Sequence, residues 1–393
     1  MGKVEQLVGI KSILKPEDLG LLITILQDRG YTVIGPSLEQ GAIGYHELKS
    51  VNELPAGWTD QQEGGSYRLV KRNDDAWFGY NVGPHSWKNY LFPPSLRLWQ
   101  ANRKGKGFEI NSEQDTPEPK YAFLGVRSCE IHAIQIQDKV FLQGKHIDPA
   151  YLARRENNLI IAVNCGQAGG TCFCTSMNTG PKVTAGFDLS LTEIMDAGEH
   201  YFVTETGSET GAEILALLPA VSAGQREIEL ADALVAHTAR SMGRVMETKG
   251  IKELLCDSFS SDRWNDIADR CLSCGNCTLV CPTCFCSTTE DVTDLTGEHT
   301  ERWRKWDSCF NIEFSYIHGG SVRTSVKSRY RQWITHKLST WIDQFGVSGC
   351  VGCGRCITWC PVAIDITAEV HAFQQLKDQL TVQAGPAGNS NLI

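Results

Sequence analysis

Two cysteine-rich runs in the chain have the residue types and the spacing that bind iron–sulfur clusters. Their cysteines are Cys271, Cys274, Cys277, Cys281, Cys350, Cys353, Cys356 and Cys360. Each run reads C-x2-C-x2-C-x3-C-P, the spacing by which thiolates hold a cubane [4Fe-4S] cluster. The close triplet ligates three irons from one loop, and the proline turns the chain away after the fourth cysteine. The sequence therefore predicts two [4Fe-4S] clusters.

The fourth cysteine of each run is expected to serve the other cluster, as is usual where two such runs occur together. The first cluster would then be bound by Cys271, Cys274, Cys277 and Cys360. The second would be bound by Cys350, Cys353, Cys356 and Cys281. Zinc and disulfides are the alternatives. Zinc sites commonly use two separated pairs of ligands, and disulfides are unexpected without a secretory signal.

A second group of cysteines follows two predicted strands. Tyr121–Arg127 is an apolar strand that leads through Ser128, a candidate N-cap, into a helix. Leu159–Val163 is the next strand. Cys129 follows the first strand and Cys165 follows the second, with Cys172 and Cys174 in the glycine-rich loop beyond. This pattern predicts an α/β unit whose site lies at the carboxyl edge of the sheet.

We expect Cys129, Cys165, Cys172 and Cys174 to hold a third [4Fe-4S] cluster. The glycines allow the backbone to approach the sulfurs, and a helix N-terminus favours the thiolate of Cys129. Buried structural cysteines are the alternative. Four more cysteines, Cys256, Cys284, Cys286 and Cys309, are left without a cluster, and a structural or secondary role is expected for them. The segment Thr283-Cys-Phe-Cys286 repeats the pattern of Thr171-Cys-Phe-Cys174.

The composition limits the classes of protein to which the chain can belong. It has 393 residues, enough for two or three domains, and a formal net charge of −9, which argues against nucleic acid as the main partner. It begins without the apolar segment of a secretory signal, and its longest apolar runs are too short to span a membrane. Sixteen cysteines in such a chain indicate reduced thiols and bound metal, so we expect a cytoplasmic protein.

The expected fold class is α+β, with an N-terminal α/β domain followed by an α-helical ferredoxin-like domain that holds two [4Fe-4S] clusters. We place the domains at 1–245 and 246–371, with a flexible tail at 372–393. Residues 282–349 separate the two motifs and are predicted to form two helices. Apolar residues recur there at three- and four-residue steps: Trp303, Trp306, Phe310, Phe314 and Ile317, then Val326, Tyr330, Trp333, Trp341 and Phe345, with Lys337 as the one polar member of the second stripe.

Three further stretches position these motifs. A helix is predicted to begin at Pro16, followed by a strand at Tyr31–Ile34. The aromatic-rich stretch from Trp77 to Trp99 is expected to be a surface loop. Helices are predicted at about 231–255 and 262–270, the second leading into the first cluster motif.

Several segments together resemble one protein family. They are Leu124–Ile134, Asn164-Cys-Gly with Cys172-Phe-Cys174, Gly186–Glu193, Cys281-Pro-Thr-Cys-Phe-Cys286 and Trp303–Phe310. They look like the iron–sulfur beta subunit of cytoplasmic nickel–iron hydrogenases of the sulfhydrogenase type, grouped with the iron–sulfur electron-transfer subunit of anaerobic sulfite reductase. The resemblance covers about residues 120–365. It implies partners: a flavin subunit that uses NAD(P)H, and hydrogenase small and large subunits or sulfite reductase subunits.

The expected function is a relay of single electrons between a nickel–iron hydrogenase module and the flavin subunit. The chain has no dinucleotide fingerprint and no nucleotide-binding loop, so nicotinamide chemistry is expected on a partner. An electron-transfer subunit of sulfite or sulfur reductase is one alternative. Others are a reductase with its own substrate-binding cluster at Cys129, Cys165, Cys172 and Cys174, a flavin-binding chain, and a purely structural metal protein.

Overall fold

The structure is a computed structural model that describes residues 8–111 and 119–384. In these ranges the strands are β1 (Lys11–Leu14), β2 (Thr32–Glu39), β3 (Ala42–Glu47), β4 (Trp58–Glu63), β5 (Ser66–Lys71), β6 (Ser95–Lys104), β7 (Gly107–Asn111), β8 (Tyr121–Val126), β9 (Leu159–Val163), β10 (Leu189–Asp196), β11 (Glu199–Thr206), β12 (Val221–Ser222), β13 (Ser287–Thr293), β14 (His299–Trp306), β15 (Tyr316–Ile317) and β16 (Gly320–Ser321).

The helices of the same ranges are α1 (Leu19–Asp28), α2 (Lys88–Leu91), α3 (Ser128–Leu142), α4 (Pro149–Glu156), α5 (Glu209–Leu215), α6 (Gln225–Arg240), α7 (Ile251–Asp257), α8 (Arg263–Arg270), α9 (Asn276–Leu279), α10 (Val326–Thr335), α11 (Trp341–Phe345), α12 (Arg355–Thr358) and α13 (Ile366–Ala384). A π-helical turn, His336–Thr340, joins α10 to α11. None of the helices in the part of the chain described here has both the length and the apolar character that a membrane span needs.

A mixed sheet organises the N-terminal part of the chain. Within the described residues it has eight strands in the order β12-β1-β11-β10-β9-β8-β2-β3. The neighbours β2, β8, β9 and β10 run parallel, and the outer strands pair antiparallel. The predicted unit of strand, helix and parallel strand is confirmed as β8, α3 and β9. The helix begins at Ser128 and its N-cap is Arg127, one residue earlier than the predicted N-cap.

Side chains of β9 alternate between two cores, one on each face of the sheet. Ile161 and Val163 pack into the core that contains α1, and Ile160 and Ala162 pack into the core that contains α3 and α4. Helix α1 buries Leu19, Leu22, Ile23 and Leu26, which recur at helical spacing, and each is at most 1% exposed. Burial of one such side chain contributes about 1.5–3 kcal/mol to folding. Because cores cover both faces of the sheet, β8 and β9 are apolar throughout and do not alternate apolar with polar residues.

The prediction of two helices between the cluster motifs is wrong for its first half. Residues 287–306 form an antiparallel hairpin, β13 and β14, in which Ser287 pairs with Trp306. The three-residue step from Trp303 to Trp306 suggested a helix, but threonines fill the hairpin, and β-branched residues favour strands. The ferredoxin-like part of the chain is therefore not wholly helical. The second apolar stripe is confirmed as helical over α10, the π-turn and α11.

The hairpin also joins the two parts of the chain. Strand β14 pairs with β6 of the N-terminal part, and the described strands of this smaller sheet run β13-β14-β6-β7. One sheet therefore contains strands from both sides of residue 245, where the predicted domains meet. The domain bounds themselves stay a prediction.

Three more expectations need correction. The predicted tail is helical as far as Ala384, in α13, and residues 385–393 lie outside the described residues. The helix predicted over 231–255 is two helices, α6 and α7, which are separated at Ser241–Gly250. The stretch from Trp77 to Trp99 is not a surface loop: Trp87 is 1% exposed and Lys88 is 4% exposed. It is buried because it lies between the large sheet and the cysteine-rich loops.

A buried ion pair connects the second cluster motif to the α/β part. Arg355 Nη2 lies 2.6 Å from Glu130 Oε1, and neither side chain is more than 1% exposed. Glu130 also accepts hydrogen bonds from the Tyr45 hydroxyl at 2.7 Å and from Trp87 Nε1 at 3.0 Å. Arg355 also donates to two backbone carbonyls that shortly precede Trp87, those of Gly83 and His85. Both charges are therefore hydrogen-bonded on several sides, as buried charges must be.

Replacing Glu130 with glutamine tests this connection. Glu130→Gln keeps the shape of the side chain and leaves the Arg355 guanidinium buried without its counter-charge. We expect the free energy of unfolding to fall by about 3–5 kcal/mol. Urea unfolding of the anaerobically prepared chain measures it. Glu298→Gln is the control, because Glu298 pairs with Arg103 on the surface, and it should leave the midpoint unchanged. An unchanged midpoint for Glu130→Gln would contradict the prediction.

Candidate iron–sulfur centres

Three cysteines of the first motif share a cavity with the last cysteine of the second motif. Cys271, Cys274, Cys277 and Cys360 line it together. Cys271 directly follows α8, and the sharp turn at Gly275, with φ of 77°, starts the short helix that contains Cys277. The cavity walls include Phe310, Tyr330 and Trp333, so apolar aromatic rings surround the sulfurs. We call these four cysteines the first thiol group.

Cys281 lies with the cysteines of the second motif. Its thiol interacts electrostatically with those of Cys350, Cys353 and Cys356. These four residues are the second thiol group. The structure thus brings together both sets that the crossing of the fourth cysteines predicts, and the assignment of each cysteine as a ligand stays a prediction.

Backbone amides donate to the sulfurs at matching positions in the two motifs. The Ser273 N–H donates to Cys271 Sγ at 3.4 Å, and the Gly352 N–H donates to Cys350 Sγ at 3.4 Å. Ser273 has a positive φ of 51°, so this position is strained for a residue other than glycine.

A third thiol group forms where β8 and β9 end. Cys129, Cys165, Cys172 and Cys174 line one cavity, as the carboxyl-edge prediction requires. Cys353 of the second thiol group also lines this cavity, so the second and third groups are direct neighbours. The structure brings these four cysteines together, but their binding of a cluster stays a prediction.

Tight backbone packing holds the second and third groups against each other. The Phe173 N–H donates to the Gly352 carbonyl at 2.8 Å. A Cβ atom at Gly352 would lie 2.6 Å from the Phe173 carbonyl oxygen, and one at Gly354 would lie 2.5 Å from that of Thr171. Only glycine fits at these two positions, which also have positive φ.

Burial favours the neutral thiol in these groups. It raises the pKa of Cys172 to about 12, and it raises the pKa of Cys350 to about 12. Such thiols lose their protons at neutral pH when a metal takes the place of the proton. The donor sets therefore fit iron–sulfur clusters, which bind through thiolate sulfur.

Buried cations lie beside the second and third thiol groups. Burial raises the pKa of the Cys165 and Cys353 thiols, and the positive charges of Arg127 and Arg355, respectively, oppose that rise. Lys337 Nζ lies 3.2 Å from Cys281 Sγ. Burial alone lowers the pKa of Lys337, but the facing thiolates raise it well above its usual range. Sequence reasoning missed the role of Lys337, although its place in an apolar stripe was a usable signal.

The remaining cysteines divide into two kinds. Cys256 is exposed, and its thiol lies 3.3 Å from the Ser339 hydroxyl. Cys284, Cys286 and Cys309 instead line a common cavity beside Lys337, a convergence that the sequence did not reveal. Within residues 8–111 and 119–384, no three His, Cys, Asp or Glu side chains are arranged to hold a single metal ion.

Comparisons with known proteins agree with the cluster motifs. A family model described as a 4Fe-4S dicluster domain matches residues 270–364. Sulfhydrogenase 2 subunit beta of Pyrococcus furiosus is 33% identical to the chain over 264 residues, which are 66% of this chain and 76% of that protein. No solved structure matches the chain. The prediction of iron–sulfur clusters in this part of the chain is confirmed, while their number stays a prediction.

The crossing of the fourth cysteines is testable by substitution. Cys360→Ser should remove or convert the cluster of the first thiol group, which the Cys271 triplet also binds. It should leave intact the cluster of the second thiol group, although Cys360 belongs by sequence to the second motif. Electron paramagnetic resonance of the reduced chain distinguishes the two clusters by their potentials. Cys271→Ser should affect the same signal as Cys360→Ser, whereas Cys350→Ser should affect the other signal. Agreement of Cys360→Ser with Cys271→Ser supports the crossing, and agreement of Cys360→Ser with Cys350→Ser contradicts it.

Lys337 should set the potential of the second cluster. Reduction adds negative charge, and a nearby ammonium favours it. Lys337→Met should therefore make that potential more negative by roughly 100 mV, since a nearby unit charge is worth about 2 kcal/mol at an effective dielectric constant near 20. Redox titration measures the shift. Lys249→Met, which removes a charge from an exposed position, is the control and should change nothing, because water and salt screen it. A potential unaffected by Lys337→Met would contradict the prediction.

Proposed function

Because the chain belongs to the sulfhydrogenase beta-subunit family, we propose that it relays single electrons between a flavin subunit that uses NAD(P)H and a nickel–iron hydrogenase module. Bound [4Fe-4S] clusters supply the redox chemistry, since each accepts one electron with little movement of its ligands. The first, second and third thiol groups are the proposed ligand sets. The chain itself binds, insulates and tunes the clusters.

The continuity of the thiol groups is the observation that supports this proposal most. The first and second groups are neighbours, because Cys356 of the second group also lines the cavity of the first. The second and third groups share a wall, because Cys353 lines the cavity of the third group. A series of neighbouring sites is what a relay requires.

The protein groups around the sulfurs suit one-electron chemistry. Aromatic and aliphatic side chains line the cavity of the first group, and backbone N–H groups donate to the sulfurs of both motifs. The buried cations Arg127, Arg355 and Lys337 compensate the negative charge that reduction increases. Burial, hydrogen bonds and nearby charge are the means by which proteins set cluster potentials.

Cys165→Ala in the assembled complex tests the relay. The third group should lose its cluster, which lowers the iron content by about four per chain. Hydrogen-dependent reduction of NAD(P)+ should fall by about 100-fold or more, equivalent to a barrier about 2.7 kcal/mol higher. Reduction of a viologen dye by hydrogen and by NAD(P)H, measured separately, should persist, because neither partner's own site changes.

Two results would contradict this function. One is full hydrogen-dependent NAD(P)+ reduction in a complex whose Cys165→Ala chain has lost iron, since electrons would then bypass the third group. The other is reduction of sulfite or sulfur by the isolated chain with an artificial donor, which would make it a reductase in its own right. Cys256→Ala is the matched control, because Cys256 is an exposed thiol outside the thiol groups.

A further inference from the structure

Three cysteines that the relay does not use converge on one cavity. Cys284 and Cys286 precede β13, and Cys309 follows β14. All three line a cavity of about 410 Å³, together with Lys337 and Trp341. One water occupies about 30 Å³ of liquid, so a polynuclear cluster fits in a space of this size.

The base of the β13–β14 hairpin brings the thiols together. Ser287 pairs with Trp306 at the end of the hairpin, and the Asp307 N–H donates to the Cys286 carbonyl at 2.9 Å. This register places Cys309 beside Cys286, and both residues line the same cavity. The contact is therefore fixed by backbone pairing and does not depend on a mobile side chain.

Lys337 provides positive charge at the edge of this cavity. Its ammonium lies 3.6 Å from Cys284 Sγ and 3.2 Å from Cys281 Sγ, and the side chain is 2% exposed. Its other hydrogen bonds go to the Thr283 hydroxyl and the Gly349 carbonyl, which are neutral. A buried ammonium requires anions, and metal-bound thiolates of both cysteines would supply them.

Trp341 adds an unused hydrogen-bond donor to the lining. It is 2% exposed, and its indole Nε1 has no hydrogen-bond partner among the described residues. A buried donor left unpaired costs about 1–3 kcal/mol. A sulfur acceptor bound in the cavity would remove this cost, so the lining is complete only with an occupant.

The local sequence repeats that of the third thiol group. Thr171-Cys-Phe-Cys174 and Thr283-Cys-Phe-Cys286 each present two thiols, and each begins with a fully buried threonine. Both segments hydrogen-bond the loop of the second motif: Phe173 donates to Gly352, and Thr283 donates to the Gly349 carbonyl at 2.7 Å. The same four-residue pattern therefore approaches one ferredoxin loop at two places.

We propose that Cys284, Cys286 and Cys309 bind a further iron–sulfur cluster through three thiolates, with its fourth iron facing the cavity. Cys309 interacts electrostatically with Cys277 of the first thiol group, and Cys284 contacts the same Lys337 ammonium as Cys281 of the second. The cluster would lie beside both the first and the second thiol groups. An iron with an open position binds small donor ligands such as cyanide, which distinguishes it from clusters with four thiolates. This inference goes beyond the relay and does not depend on which partners the chain serves.

Thiol labelling of the full, anaerobically prepared chain tests the site without any substitution. Iodoacetamide is applied before and after removal of iron with a chelator, and peptide masses report each cysteine. Cys256 should be labelled in the native chain, whereas Cys284, Cys286 and Cys309 should be labelled only after iron is removed. Labelling of these three in the native chain, or a disulfide between Cys286 and Cys309, would overturn the proposal.

Iron analysis of variants gives the second measurement. Cys309→Ala should lower the iron content by about four per chain and remove one component from the Mössbauer spectrum. Cys256→Ala is the control and should retain all iron. Cys165→Ala should remove a different component, so failure of the third cluster and failure of this one are distinguishable. Zinc at the site, or unchanged iron in a folded Cys309→Ala chain, would refute the further cluster.

Discussion

The structure depends on placing the negative charge of many thiolates inside a protein core. Arg127, Arg355 and Lys337 meet this need, because all three are buried cations, the first beside the third thiol group and the other two beside the second. A buried cation in turn needs hydrogen-bond acceptors on its other sides. Arg127 donates to the carbonyls of Phe78 and Tyr80. Arg355 donates to carbonyls slightly later in the same stretch, so one irregular segment supports both guanidinium groups.

That support explains why the aromatic stretch from Trp77 to Trp99 is buried. An irregular segment leaves backbone carbonyls free of strand or helix pairing, and here these carbonyls point at cations. Trp87 stacks on Tyr45 with ring centroids 4.0 Å apart and donates to Glu130, which pairs with Arg355. The α/β part therefore contributes both the third thiol group and the carboxylate and carbonyl groups that hold Arg355 beside the second. The ferredoxin-like part is tied to it by charge as well as by packing.

The loop of the second motif is the place where the thiol groups meet. Its glycines let Thr171 and Phe173 approach its backbone closely, and its cysteines lie between the first and third groups. The hairpin β13–β14 adds Cys284, Cys286 and Cys309 from another direction. The third thiol group and the hairpin thus place additional thiols around the loop of the second motif. This arrangement agrees with an electron-transfer subunit whose sites are contiguous within one chain.

The helical stripe at Trp303 and Trp306 shows why local spacing misled. Trp303 and Trp306 are three residues apart, a spacing that fits a helix by chance. The segment forms a strand because β14 pairs with β6 on one edge and with β13 on the other. The stripe over α10 and α11 was predicted correctly because its apolar residues cover one helix face over several turns. Lys337 interrupts that stripe, and its partner Cys281 lies 56 residues away in sequence.

The sequence by itself determined the class of cofactor, the ends of β8 and β9 where cysteines follow, and the apolar faces of the main helices. These features are local, since cluster loops, strand ends and helix faces are each encoded within about ten residues. The tertiary structure decided which thiol groups are neighbours, which cations compensate them and where the hairpin closes. Those outcomes depend on contacts between distant segments, as with Cys353 beside Cys129 or Lys337 beside Cys281. Such contacts form only when the chain folds, so no local spacing predicts them.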